Sequence, residues 1–600
     1  EEKLNVNVIV GTFHSIGKDI LFRGKHPNRP SEFVDQEEKL ISFMEIILNR
    51  CLKDNDFANL YEKYFREHEV RNIDEIRDFK TEREYANWIR YNSLLTLQNE
   101  RVKSHGELLI GNFLFANNVN YKYEPFYLAN NSMPTDFHYR PDFYLTDYNI
   151  YIEYFGIDEK GNTAEFVPNE KYREGIKWKF KTHQAGNTKL IDLYFHQKKD
   201  GKLINNLREQ LIKHGVKLSP VNKTKLYSQI NTTGKDTKFL KLIIRFLSQY
   251  KERQRTLNLK KLFQENKDDE RTLLFLRIFE IILNAYQHEL SKLRQIDFGD
   301  MISLSAKLIS ESKVDLNYKY VIVDEFQDIS QSRAKLLKKI KELNNAKLYC
   351  VGDDWQSINK HSGGDITIFT LDFKKLFGHY ERVDIDTTFR YGNLINNISS
   401  QFIQKNPSQL KKKVSPNKDI KGSSINIYEK NIFSETMKKI TKKHKNIFIL
   451  GRYNLDKYDN EIRKNLPKSN IITKYEINKF IKDKSLDVSF KTIHGAKGLE
   501  ADVVCLVNMF PGKFGFPSQM EDDEILELVL PNPEHYPNSE ERRLMYVAMT
   551  RAKKEVHLFS GSNFFSSEFV KELKNEFNAI NVIDSDDDKN TTKRMCPTHK

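Results

Sequence analysis

The spacing of apolar positions changes several times along the chain. Residues 5–15, "NVNVIVGTFHS", read as a buried strand followed by a turn, because a β-branched run is ended by Gly and small polar residues. Residues 36–117 repeat apolar positions at helical spacing with few breakers. The period then shortens: "VNYKYEPFYL", "PDFYLTD" and "NIYIEYFG" are brief, aromatic, β-rich runs divided by polar turns. A helical stretch near Pro168 to Gly186 and the strand-like "KLIDLYF" follow. The pattern predicts helix, three strands, helix, strand over roughly 81–215. Residues 222–311 return to helix in "FLKLIIRFLSQY" and "LLFLRIFEIILNAY". Beyond them apolar strands and helices alternate to about residue 580, as in a parallel α/β sheet. Asp584 to Asp588 form an acidic linker, and no internal repeat is evident.

Composition narrows this picture. A chain of 600 residues with 39% hydrophobic residues is long enough for several cores, so a multidomain protein is expected. The formal charge of +14 favours a polyanionic partner, since lysines and arginines placed on phosphates release condensed counterions. Cys51, Cys350, Cys505 and Cys596 are far apart and lack disulfide spacing, which fits a reducing, cytoplasmic setting. No apolar run approaches the ~20 residues of a membrane span, and no signal-peptide pattern is seen. The chain opens on Glu1 without an initiator Met and stops after "RMCPTHK", so a longer parent protein is expected.

The sharpest chemical signal is "YVIVDEFQDIS", Tyr320 to Ser330. A β-branched strand feeds two adjacent acids at its carboxyl end, where open parallel sheets bind ligands. Asp324 is placed to hold Mg²⁺ through its water shell, and Glu325 to orient or deprotonate the water attacking a γ-phosphate. The next strand, "KLYCVGDDWQSI", ends in Gly352, Asp353, Asp354 and Gln356, whose amide can bond both a terminal phosphate and the attacking water. "IDTTFRYGNLI" then places Arg390 before an apolar helical stretch. "VSFKTIHGAKGLEADVVCLV" holds Thr492, His494, Lys497 and Glu500 in a loop between two strands. Finally "SEERRLMYVAMTRAKKEVHLF" carries Arg543 and Arg551 beside a helical apolar stripe.

In this order, "GTFHS", "VIVDEFQD", "VGDDWQSI", "TTFRYGNLI", "TIHGAKGLE" and "EERRLMYVAMTRAK" resemble the UvrD/Rep-like superfamily 1 DNA helicases. "GDDWQ", "GKFGFPS" and Ser362 before Gly363 are similar to the helicase IV branch of that family. The resemblance implies two RecA-like domains that sandwich ATP, with Arg390 and Arg551 as arginine fingers on the γ-phosphate and Glu500 on the ribose. It also implies 3′ to 5′ translocation on single-stranded DNA, and DNA contacts by Thr12, Phe13, His14, His361, Thr492 and His494. Three departures accompany it. The phosphate loop G-x-x-x-x-G-K-[ST] is absent, "TTGKDT" around Gly234 being a poor substitute, and in the family it precedes "GTFHS". The segment between Arg390 and Thr492 is too short for the large second-domain insertion of the relatives. Asn359 and His361 stand where relatives often carry base-stacking aromatics.

The block at 81–215 is similar to the PD-(D/E)xK nuclease core. That resemblance would put Asp142 at the end of the second strand, Glu153 on the third and Glu107 of "SHGELLIGNFLF" on the first helix, a set of hard oxygen ligands for Mg²⁺. Its lysine is missing, since residue 155, on the same strand face as Glu153, is Phe155. Either Lys177 and Lys181, which share a face of the following helix, replace that lysine, or the domain has lost cleavage and kept DNA binding. "CPTH", Cys596 to His599, would be half of a Zn²⁺ ribbon.

The sequence therefore predicts an α/β protein: two RecA-like parallel-sheet motor domains, a helical accessory region and an inserted PD-(D/E)xK-like α/β domain. The expected boundaries are 1–35 and 296–382 for the first motor domain and 383–580 for the second. The accessory helices span 36–80 and 216–295, the insert 81–215, and the linker with its ribbon 581–600. The expected function is an ATP- and Mg²⁺-dependent DNA helicase with an attached nuclease domain, acting on single strands and on duplex with a single-stranded tail. Repair, recombination and defence against foreign DNA would all use such a machine. The competing reading is a non-catalytic DNA-binding component served by a partner ATPase.

Overall fold

The computed structural model of the protein describes residues 8–583 except 32, 34–35, 69–80, 83–84, 86–93, 128–138, 254–257, 419, 421, 430, 456–470, 484, 513, 521, 532–533, 535 and 561–565. The acidic linker and the expected zinc ribbon lie outside the described residues. Two compact units divide the chain: Glu1–Pro30, Ser248–Thr256 and Ile296–Lys600 form the first, and Ser31–Leu247 with Leu257–Gln295 the second. The α/β block expected over 81–215 thus shares one unit with helices on both of its sides, while Ser248–Thr256 belong with the other unit.

In the first unit, of the strand and turn expected over residues 5–15, residues 5–7 lie outside the described residues, residues 8–12 form no strand, and a helix begins at Phe13. Thr12 caps helix Phe13–Arg23 by accepting a hydrogen bond from the Ser15 N–H at 3.2 Å. Its buried Gly17, Ile20 and Leu21 give the helix an apolar face, whereas Val8, Ile9 and Val10 before it are exposed. Gly17 lets helix Phe298–Ser310 approach closely, with the Ser305 hydroxyl donating to the Gly17 carbonyl at 2.9 Å. Strands Tyr320–Val323 and Lys347–Cys350 pair in parallel.

The rest of this unit is built on a six-stranded parallel sheet. Its spatial order is Asp487–Thr492, Asn446–Gly451, Ala501–Met509, Ala552–Ser560, Ser424–Tyr428, Asn581–Ile583. Alternate residues of the central strand face opposite layers. Val504 and Leu506 pack with Ile395, Ile398 and Phe402 of helix Asn393–Gln404 and with Leu544 and Val547 of helix Ser539–Met549. Val503, Cys505 and Val507 pack with Met437 of helix Phe433–Lys443 and Ile477 of helix Lys474–Ile481. Burial on both faces is why these strands read as continuous apolar runs.

In the second unit, helix His105–Ala116 precedes strands Tyr121–Tyr123, Phe143–Leu145 and Ile150–Phe155. Helix Asn169–Ala185 and strand Lys189–Tyr194 follow. The three strands form an antiparallel meander, and the last strand adds in parallel beside Ile150–Phe155. Helices Glu37–Cys51, Asn55–Lys63 and Glu270–Lys292 complete the unit around an aromatic cluster of Tyr61, Tyr64, Phe65, Phe239 and Phe275. Gly234, in the segment compared with a phosphate loop, sits with φ +67° in a turn between helices Lys223–Thr232 and Lys235–Glu252.

Gly106 sets how closely helix His105–Ala116 lies on the sheet: a Cβ there would fall 2.2 Å from the Tyr154 ring. Gly106→Ala is expected to destabilise the protein by about 1–3 kcal/mol through overpacking. Thermal melting of the variant checks this, and an unchanged melting temperature would contradict the tight approach.

Candidate functional site

Two groups of polar side chains stand out, one in each unit. In the first unit, strand Tyr320–Val323 delivers Asp324 and Glu325 to an exposed loop. Glu325 has a left-handed backbone, φ 50°, unusual for a residue with a side chain and costly unless its surroundings enforce it. Three contacts do so. The Asp324 carboxylate accepts from the Glu325 N–H at 2.8 Å, the Phe326 N–H donates to the Val351 carbonyl at 2.8 Å, and the buried Gln327 amide donates to the Glu325 carboxylate. The Gln327 carbonyl oxygen also accepts from the Asp353 N–H at 2.9 Å. Gly352 is required here, because a Cβ would lie 2.6 Å from that oxygen and 3.1 Å from the Gln327 backbone nitrogen.

Gln356 continues the chain of contacts. Its amide nitrogen donates to Asp353 at 2.8 Å, and its carbonyl oxygen accepts from Arg551 at 3.0 Å. Arg551 follows helix Ser539–Met549 and is 1% exposed, donating also to the Val547 carbonyl at 3.0 Å. Burial and the nearby Arg390 charge pull its pKa down to about 10, so it stays cationic at neutral pH. Arg390 pairs with Glu500 at 3.0 Å, and Lys553 reaches the same carboxylate at 2.7 Å; these two partners hold the Glu500 carboxyl below its ordinary range. Lys497 lies 2.6 Å from Asp328 and 3.3 Å from Glu325. Asp324, Glu325 and Gln356 thus follow the carboxyl ends of the two paired strands, while Glu500 and Arg551 immediately precede strands Ala501–Met509 and Ala552–Ser560.

Sequence reasoning left Lys412 without a role in this site. Lys412 pairs with Asp353 at 2.5 Å and with the fully buried Asp354, its ammonium 5.1 Å from the centre of the Trp355 ring. Within "KKK", Lys411 to Lys413, nothing local distinguishes the buried member from its neighbours.

Of the residues expected to contact DNA, the structure brings His361 and His494 together, their rings edge to face at 5.3 Å. Burial, with the charges of Arg452 and His361, lowers the His494 pKa to about 4, which leaves it neutral at physiological pH. Thr492 accepts from the Gly495 N–H at 3.1 Å and shapes that loop. Thr12, Phe13 and His14 instead make the start of a helix. Phe13 packs against two apolar clusters and His14 lies 4.1 Å from the Phe298 ring, so the Phe13 ring serves the core.

The second unit holds a group of carboxylates. Glu153, 1% exposed within strand Ile150–Phe155, accepts from the Tyr139 hydroxyl at 2.7 Å. Asp142 precedes strand Phe143–Leu145 and accepts from the Tyr154 N–H at 2.7 Å. Burial, reinforced by the charges of Glu153 and Glu107, pushes the Asp142 carboxyl well above its ordinary range. Glu107 in the first turn of helix His105–Ala116 accepts from Tyr123 at 2.6 Å, Ser104 at 2.8 Å and the Lys103 N–H at 3.0 Å. Its pKa is also raised, chiefly by burial. Such a set of oxygen donors suits a hard divalent cation, which would relieve the repulsion the raised values express.

The lysine beside this group is neither Lys177 nor Lys181. Both are exposed, whereas Lys179 pairs with Glu153 at 2.5 Å. The reason is helical phase: Thr182 and His183 face inward, and Lys179 lies one turn before His183 on that face, while Lys177 and Lys181 share the solvent side. The Lys179 ammonium lies 5.5 Å from the Tyr139 and Phe155 ring centres. Phe155 therefore packs beside this lysine. A further trio, Glu159, His196 and Asp200, brings three ligand atoms within 4.8 Å of one another in the same unit.

Comparisons with known proteins match two long stretches of the chain. Residues 2–377 match the UvrD/REP helicase N-terminal domain, and residues 449–563 the UvrD-like helicase C-terminal domain. The chain is similar to DNA helicase IV of Escherichia coli (strain K12), 34% identical over 306 residues that make up 50% of this chain and 42% of that protein. It is also similar to a probable DNA helicase II homolog of Mycoplasma capricolum, at 28% identity over 32% of this chain and 28% of that protein. With the ATP-dependent DNA helicase PcrA of Staphylococcus aureus it shares 29% identity over 25% of this chain and 20% of that protein. The chain spans less than half the length of each of these relatives.

Lys412 offers a direct test of this geometry. Burial raises the Asp354 carboxyl above its ordinary value, and Lys412 opposes that rise. With its folded pKa above the unfolded one, Asp354 destabilises the fold increasingly as pH climbs past the ordinary carboxylate range. Lys412→Met is expected to cost about 3 kcal/mol at neutral pH by leaving this carboxylate unpaired. The deficit should shrink toward acidic pH, as Asp354 takes up a proton. Denaturant unfolding at both pH values checks this, and a pH-independent loss would contradict the pairing.

Proposed function

The chain belongs to the UvrD/REP helicase family, and from that premise we propose an ATP-hydrolysing motor that moves 3′ to 5′ on single-stranded DNA and opens duplex with a single-stranded tail. The observation that carries this reading is the continuous path Glu325, Gln327, Asp353, Gln356, Arg551. In that reading Glu325 orients the attacking water, Gln356 senses the terminal phosphate, and Arg551 with Arg390 stabilises charge developing on it. Asp324, exposed at the strand end and aimed by its bond to the Glu325 N–H, fits the role of holding Mg²⁺ through water. Bound there, the cation would neutralise the phosphate oxygens during transfer. Movement of the second sheet relative to the first on hydrolysis would then be read out through Gln356, because one amide bonds both sides.

The second unit supports a metal-dependent nuclease coupled to this motor. Asp142 and Glu153, with Glu107, would hold the divalent cation, which supplies an activated water and charge neutralisation at the scissile phosphate. Lys179 takes the position of the missing lysine, where it would orient the water or the phosphate. Because the Asp142 pKa is raised, protons compete with the cation and cleavage should fall as pH drops.

Two experiments test these readings. Glu325→Gln should abolish DNA-stimulated ATP hydrolysis; hydrolysis that is absent from the parent protein would favour a DNA-binding component served by a partner ATPase. Asp142→Ala should eliminate Mg²⁺-dependent cleavage of DNA and spare ATP hydrolysis. Lys179→Ala should slow cleavage about 10²-fold, the usual loss for one electrostatic stabiliser. Lys177→Ala and Lys181→Ala should change it far less, and cleavage that survives in Asp142→Ala rejects the metal site.

A further inference from the structure

We propose that Tyr475, with Lys479, is a base-stacking platform for single-stranded DNA in the sheet-bearing part of the motor. The inference rests on the motor reading above.

Tyr475 opens helix Lys474–Ile481, the connection between strands Asn446–Gly451 and Asp487–Thr492. Those strands are parallel, with Gly451 opposite Thr492, so the chain leaves and re-enters the sheet through a helix that begins at its carboxyl edge. Direct contacts fix that placement. Asn508, near the carboxyl end of strand Ala501–Met509, accepts from the Ile472 N–H at 3.0 Å and donates to the Ile472 carbonyl at 3.1 Å. The same edge carries Thr492 and, just beyond it, His494, two of the candidate DNA contacts.

The pedestal is rigid. Thr473 and Glu476 form a reciprocal capping box, with Thr473 accepting from the Glu476 N–H at 3.2 Å and Glu476 accepting from the Thr473 N–H at 2.9 Å. Ile477 anchors the helix in the core with no exposure, while Tyr475 is 70% exposed. Burial therefore does not explain the ring. The Lys479 ammonium lies 4.6 Å from its centre, one turn further along the helix. A held, exposed aromatic ring beside a cation is suited to a splayed base and its phosphate. The other candidates for base contact are engaged with protein groups: His361 and His494 pack on each other, Phe13 packs against two apolar clusters, and Asn359 donates to Asp328 at 2.7 Å.

The test uses the nucleotide-free protein and an oligothymidylate carrying 5-iododeoxyuridine. Photocrosslinks mapped by mass spectrometry should fall on the peptide containing Tyr475. Tyr475→Ala should weaken binding of the single strand about 5- to 100-fold with an unchanged melting temperature, and Tyr475→Phe should restore it. Lys479→Gln should reduce the slope of log affinity against log salt by about 0.7, the loss of one phosphate contact on a single strand. If the parent binds the strand but Tyr475→Ala binds equally well, or the crosslinks map elsewhere, the platform is refuted and the motor reading stands. If the parent does not bind single-stranded DNA, both are refuted.

Discussion

Gln356 accepts from the Arg551 guanidinium at 3.0 Å and donates to Asp353 at 2.8 Å, so one amide ties the loop after one parallel strand pair to the helix that feeds a six-stranded sheet. An amide suits this bridge because it offers a donor and an acceptor on the same rigid group. The contacts behind it are equally particular. Gln327 spans Glu325 and Asp353, Gly352 leaves room for that span, and Lys412 neutralises the two acids that follow. Gln327 is buried and Asp353, Gln356 and Lys412 are half-buried, where an unmade hydrogen bond is expensive.

The second unit solves a different electrostatic problem. Three carboxylates are gathered beside one lysine, and burial raises the Asp142 and Glu107 carboxyls, in Asp142 with help from the charges of Glu153 and Glu107. Tyr139 and Tyr123 each donate to one acid, which orients the carboxylates without adding charge.

Much of this was legible in the sequence. The strand carrying Asp324 and Glu325, the loop of Thr492 and His494, and the helix, three strands, helix, strand order of the α/β block all follow from local period and turn chemistry. The strand expected over residues 5–15 was not, since Val8, Ile9 and Val10 are exposed and a helix begins at Phe13. Nor was the lysine beside Glu153. Spacing identifies Lys177 and Lys181 as sharing a face, but says nothing about which face meets the sheet.

The sequence by itself determined the parallel α/β class and the order of the motor motifs, because strand burial and strand-end chemistry are written in adjacent residues. Only the tertiary structure decided that Lys179 meets Glu153, that Lys412 meets Asp354, and that Gln356 meets Arg551. In each case the partners lie far apart along the chain, and their meeting depends on the rotation of a helix or the approach of a loop. Those rotations are set by packing between elements, which no local pattern records.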